Sequence, residues 1–233
     1  MSKLAHASDA LAGFATASHS GAGFDDATNV ARARLIGALT ALETPGVTAE
    51  IAAHALGSYG APLRRVFVEA VTLAAAPDAP IVAAALAATA LGGRGETDAI
   101  EALAVGREVA ARLTRALTFD PAWDAAAVAS GIGAAAAAAR AAGLDPVSAQ
   151  HAIGLAATQA ASLGVVTGTP AAALGCGKAA ADAVEAALLA RHGFTAASAS
   201  LEGRRGLAAV MGERFDETAL LDDLGRRWFS AEP

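Results

Sequence analysis

The chain has 233 residues, is 55% hydrophobic but only 4% aromatic, and carries a formal net charge of −6. That length holds one large domain or two small ones. The acidic balance, with no basic cluster larger than Arg204-Arg205 or Arg226-Arg227, argues against nucleic-acid binding.

Much of the hydrophobic fraction is alanine, a strong helix former, and β-branched runs are scarce. The expected fold is therefore all-α, a single multi-helix bundle over residues 1–233. A core of small side chains must draw its stability from many close helix contacts. The lone Cys176 excludes an intramolecular disulfide and fits a reducing cytoplasm. The opening MSKLAHASDALAGF has no apolar signal region, and the uncharged stretch 125–139 is too short and too weakly apolar to span a bilayer.

In chain order, a first helix is expected over residues 4–18 and a loop over 18–24. Asp25 or Asp26 caps a second helix with the apolar stripe Leu35, Ile36, Leu39 and Leu42, ended by Thr44-Pro45-Gly46. Thr48 opens a short helix to Leu56, broken at 57–60. Pro62 starts a helix to about residue 75, Pro77-Asp78-Ala79-Pro80 interrupts, and another helix reaches Leu91. After Gly92-Gly93-Arg94-Gly95, Ile100, Leu103, Ala110, Leu113 and Leu117 mark one helix face. Glu108 and Arg112 form an i,i+4 pair on another side.

The chain is organised around residues 120–143. Asp120 is the expected cap and Pro121 suits the first turn. Between Asp124 and Arg140 there is no charge, and the side chains are almost all alanine. Such a helix belongs at the buried centre of a bundle. Gly131 and Gly133 each cost roughly 1 kcal/mol relative to alanine, so close approach of a neighbouring backbone should compensate. Asp145-Pro146 starts the next helix, to Ser162, followed by a loop at 164–168. Thr169-Pro170 opens a last long helix, weak across Gly175-Cys176-Gly177 and firm from Lys178 to Arg191. The tail, 213–233, holds a short helix around Leu220 to Leu224. Caps paired with short loops favour antiparallel helices in one domain.

The phrases EALAVGREVAARLTRAL, GIGAAAAAARAAGLDPVSAQHAIGLAATQAA and GKAAADAVEAALLARHGFT, then LEGRRG, cover about half the chain. In order and spacing they resemble the MmgE/PrpD family of 2-methylcitrate dehydratase, cis-aconitate decarboxylase and iminodisuccinate epimerase. The resemblance implies a helical domain that dimerises through helices, beside a C-terminal α+β domain that helps close the active site. The tail LGRRWFSAEP resembles the end of the helical segment, so the second domain is expected to be absent here.

The resemblance also indicates where chemistry should lie. The histidine of a Gly-Phe/Trp-His phrase falls on Asp124, in Ala122-Trp123-Asp124. The histidine of a His-Pro-Ser phrase falls on Ala76, before Pro77-Asp78. An aspartate-rich segment with a threonine would lie near residues 66–70 and is not there. A lysine and a histidine before Gly177 fall on Ala172 and Gly175; Lys178, after that glycine, is not taken for the catalytic lysine. Reactions beside carboxylates need a cationic pocket and a group that moves protons near neutral pH. Alanine and glycine supply neither. Asp124 adds a negative charge, which at roughly 4 Å and an effective dielectric near 20 repels an anion by about 4 kcal/mol.

The expected reading is a non-catalytic protein, a dimerising scaffold or a regulatory partner of a full-length family enzyme. One alternative is a lyase or isomerase with a rebuilt site for a small organic acid, Asp124 as base and Lys178 as electrophilic helper. Another is one half of a split enzyme whose α+β part is a separate chain. A homodimer is expected, because helix faces left without a second domain need cover.

The binding candidates are Trp123, Asp124, Gln159 and Lys178. For each a plainer role exists. Trp123 is expected to plug the vacated pocket while Asp124 favours the helix N-terminus through its dipole. Lys178, Asp182 and Glu185 share a helix face, which suits a solvated ion-pair cluster. Gln159 either lines the cleft or hydrogen-bonds across helices. His151 packs or caps, and His6, His19, His54 and His192 show no metal spacing. Cys176 is a small buried side chain or an accessible thiol. Gly131-x-Gly133 is no dinucleotide fingerprint, since no strand precedes it. No cofactor and no metal is expected.

Overall fold

The computed structural model describes residues 6–55 and 61–231; Leu56, the break at 57–60 and both chain ends lie outside the described residues. The described residues form helices α1 (Ala7–Thr16), α2 (Ala22–Leu42), α3 (Val47–Ala55), α4 (Ala61–Thr72), α5 (Ala79–Leu91) and α6 (Glu96–Ala116). Then come strand β1 (Leu117–Phe119), α7 (Ala125–Ala141), α8 (Pro146–Gln159) and α9 (Pro170–Arg191). The C-terminal part holds α10 (Leu207–Met211), strand β2 (Gly212–Phe215) and α11 (Glu217–Leu221). The fold is all-α apart from the small strand pair.

The alanine-rich helix α7 is the spine. From Ala127 to Ala139 every residue except Gly131 is buried, against α5, α6, α8, α9 and α1. One of its glycines has the role expected of it. A Cβ on Gly133 would fall 2.4 Å from the carbonyl oxygen of Gly106, and one on Gly106 would fall 2.6 Å from that of Gly133. Helices α6 and α7 thus touch backbone to backbone. Gly131 does not share in this; a Cβ there would meet only Ala179, at 3.3 Å.

Several boundaries differ from the sequence expectation, each for a local reason. The cap of α7 is Asp124, whose Oδ1 accepts the Ala127 N–H at 3.1 Å. Asp120 instead closes a turn by accepting the Ala122 N–H at 2.8 Å. The turn is needed because Leu117, expected on the helix face, opens β1, which pairs antiparallel with β2. Helix α2 starts after Gly21, which takes φ +97°, so Asp25 sits in its first turn as a dipole partner rather than a cap.

The α2 stripe also differs. The buried row is Phe24, Ala27, Ala31, Leu35 and Ala38, and Ile36 and Leu39 are exposed. Small alanines let α2 lie close on α6, and the larger side chains fall outside that contact. Helix α8 ends at Gln159, short of Ser162. Helix α9 runs unbroken through Gly175-Cys176-Gly177, because Gly177 is covered by Phe67 and Val71 of α4.

Glu108 and Arg112 are an i,i+4 pair as expected, but in the core: both side chains are 0% exposed and Arg112 Nε lies 2.7 Å from Glu108 Oε1. The guanidinium also donates to the carbonyls of Leu220 (3.0 Å), Asp222 (2.7 Å) and Arg227 (2.7 Å). The second Glu108 oxygen accepts the Ser230 N–H at 2.8 Å. This pair therefore fastens the C-terminal segment to α6. Trp228 adds an aromatic cluster with Phe14, His19 and Phe24, ring centroids 5.1 to 5.2 Å from its own.

Candidate functional site

Two loops meet at the foot of α7. The Asp124 N–H donates to the Ser162 carbonyl at 3.0 Å, the Gly164 N–H donates to the Ala122 carbonyl at 2.8 Å, and Trp123 pairs with Leu163 in a β-bridge. Ser162 takes φ +118°, uncommon for a residue with a side chain. Gly164 is required at its position: a Cβ would fall 2.3 Å from the Pro121 carbonyl oxygen.

Behind these loops, α7, α8 and α9 enclose a cavity of about 280 Å³. Its wall is mainly apolar, with Ala127, Gly131 and Gly175 among the small residues and Gln159, Ser162 and Lys178 as polar ones. Lys178 is half exposed and pairs with Asp182, the residue one turn on, which is only 4% exposed. Burial pushes the Asp182 carboxyl above its usual range, while the hydrogen bond and charge of Lys178 pull it back. The Ser162 Oγ is enclosed and has no hydrogen-bond partner among the described residues.

Of the four binding candidates, the structure brings Gln159 and Lys178 together in this cavity. Trp123 does not plug it. Trp123 lines a separate cavity of about 510 Å³ with Thr158, Arg205 and Met211 among its neighbours. Asp124 is committed to the helix cap and lines neither cavity. The expected solvated cluster on α9 is half buried, since Asp182 points inward. His151 acts as the packed histidine expected of it, its Nδ1 accepting the Ala196 N–H at 3.2 Å.

Ser162 and Asp182 belong to the site but were not candidates. Asp182 was legible as the i+4 partner of Lys178. Ser162 carries no sequence signal, because its place depends on the two loops meeting.

Two consequences can be measured. Asp124→Ala removes a side-chain cap and is expected to cost about 1 kcal/mol, while Asp124→Asn keeps an acceptor and stays near wild type. Thermal or urea unfolding checks this. Burial pushes the Cys176 thiol up, and the negative charge of Asp124 adds to the shift. A disulfide reagent such as DTNB is therefore expected to modify Cys176 more slowly than free cysteine at neutral pH, the gap narrowing as pH rises.

Chemically, the cavity offers an apolar surface, an amide and one ammonium whose charge is matched by Asp182. The family model of the MmgE/PrpD N-terminal domain matches residues 70–219. No curated protein matches the chain.

Proposed function

The chain belongs to the MmgE/PrpD family, and from that premise we propose that it works without catalysis, as a dimerising helical scaffold or a regulatory partner of a full-length family enzyme. One observation carries this reading. The cavity at the foot of α7 includes Gly175, where the resemblance places a histidine, and Lys178, its single cation among the described residues, is already paired with a carboxylate. An anionic substrate would compete with Asp182 for that cation. Asp124, the other position of interest, is engaged in capping.

The surface supports self-association. Ile36, Leu39, Val47 and Ile51, along the end of α2 and on α3, are each about half exposed or more. A homodimer covering them is expected to elute at twice the monomer mass in light scattering, and Ile36→Glu with Ile51→Glu to shift it to monomer. A wild-type monomer at tens of micromolar, or enzyme-like turnover of 2-methylcitrate, cis-aconitate or iminodisuccinate, would end the proposal.

The second reading is a lyase or isomerase with a rebuilt site for a small organic acid. It is favoured by Lys178, Gln159 and Asp182 lining one cavity. In that reading Asp182, rather than Asp124, is the proton carrier, and Asp182→Asn abolishes a turnover that Asp124→Asn leaves intact.

A further inference from the structure

A third cavity, about 430 Å³, lies on the opposite face of α7 and shares no lining residue with the one at its foot. It is bounded by Arg34 of α2, Asp78 at the start of α5, Arg107 of α6, the first turn of α7 and Ser230. Asp78 Oδ2 lies 3.1 Å from Arg107 Nε and 3.7 Å from Arg34 Nε. One carboxylate oxygen thus faces two guanidiniums, and a single positive charge is left over. The neighbouring Glu108 also acts on Arg107 through its charge, but that charge is matched by the Arg112 guanidinium paired with it.

Two polar groups at this cavity are unsatisfied. Arg107 Nη1 and Ser230 Oγ are enclosed and have no hydrogen-bond partner among the described residues. Ser230 is only 7% exposed and Arg107 has a side-chain exposure of 14%. A buried donor without an acceptor is unfavourable, and more so when charged. The first turn of α7, with Ala125 and Ala126 on the wall, is already capped by the Asp124 carboxylate and offers no free positive end. Burial lowers the Arg107 pKa, with Asp78 opposing, yet a guanidinium stays cationic near neutral pH. The remaining wall is apolar, with Ile81, Ala110 and Ala129.

We propose that this cavity binds a small monocarboxylate with a short apolar body, its carboxylate accepting from Arg107 Nη1 and Ser230 Oγ and its body lying on Ile81 and the alanines. The charge count selects the class. A monoanion neutralises the surplus positive charge, whereas a di- or tricarboxylate would bring unmatched negative charge beside Asp78. The inference does not depend on the scaffold reading, whose test concerns the surface of α2 and α3.

The test is calorimetric titration of the full chain with sodium hexanoate, with inorganic phosphate, citrate and hexylamine as comparisons. Saturable hexanoate binding with a Kd of about 1 mM or tighter is expected. Citrate, phosphate and hexylamine should each bind at least tenfold more weakly, a margin of about 1.4 kcal/mol. Arg107→Gln should weaken hexanoate binding by about tenfold or more, the loss of a charge-assisted contact. Arg34→Gln, at a half-exposed position, should weaken it a few-fold, and Ala111→Leu should block the apolar body without touching the charges. Should Arg107→Gln fail to fold, Arg34→Gln and Ala111→Leu decide the matter. Absent hexanoate binding, equal binding of phosphate or hexylamine, or unchanged affinity in the folded variants would overturn the proposal.

Discussion

Gly133→Val is expected to destabilise the protein by about 3 kcal/mol or more, or to prevent folding, because inserting side-chain atoms into a close contact costs 1–3 kcal/mol and more where backbone blocks relaxation. The blocking atom is a carbonyl oxygen, that of Gly106, 2.4 Å from where the Cβ would sit, with Ala110 Cβ at 3.0 Å. A carbonyl oxygen inside a buried helix cannot rotate away, so α6 and α7 would have to separate along their whole contact. That contact also carries α5, since Ile81 stands within 3.2 Å of the same point. With total stabilities of about 5–15 kcal/mol for a typical domain, such a loss takes between about a fifth and three fifths of the reserve, or more. The control lies two residues away. Gly131→Ala meets only Ala179, at 3.3 Å, and removes a helix-interior glycine worth roughly 1 kcal/mol, so it should be near neutral or mildly stabilising. Urea unfolding of both variants reads the contrast directly. Equal effects would show that the backbone contact does not set the helix spacing.

Arg112→Ala is the second large effect, at about 3–5 kcal/mol, the usual cost of leaving one partner of a buried ion pair uncompensated. Glu108 would keep the Ser230 N–H but lose its cation, in a place with 0% exposure. The carbonyls of Leu220, Asp222 and Arg227 would lose their donor as well. The damage should be regional before it is global. Hydrogen exchange is expected to rise first across residues 217–231, which the guanidinium fastens, and only later in α7. Replacing both residues together by Met and Leu removes the bare charge but leaves those carbonyls unsatisfied, so it should restore only part of the loss. A single-variant cost below about 1 kcal/mol would mean that the pair is exposed in solution.

The sequence carried the helices and missed what depends on distant partners. Asp145-Pro146 reads as a helix start, and its carboxylate accepts the Val147 and Ser148 N–H groups as a cap should. Asp120 and Asp124 are both good caps in isolation. The choice between them was made by β1, whose partner β2 is more than ninety residues on, and no local pattern reports such a pairing. Spacing alone placed Glu108 near Arg112 but could not say whether water reaches them. The C-terminal aromatic cluster has the same difficulty, since Trp228 and Phe14 meet although they are far apart in the sequence. Gln159 and Lys178 line one cavity, but the sequence alone leaves each between a cleft position and a plainer role. Trp123 lines the other cavity, a placement that nothing in its local sequence reports.

The partition between the two cavities on either side of α7 is made largely of alanine. Alanine has no χ1 rotamer to switch, and Val128, Ile132 and Ser130, the α7 lining residues that have one, each face one cavity alone, so a molecule lodged on one side has no side-chain lever reaching the other. Only displacement of the whole rod could carry the message, and the contact of Gly106 with Gly133 resists that sliding. The two chambers should accordingly fill as strangers, each deaf to whether its neighbour is occupied.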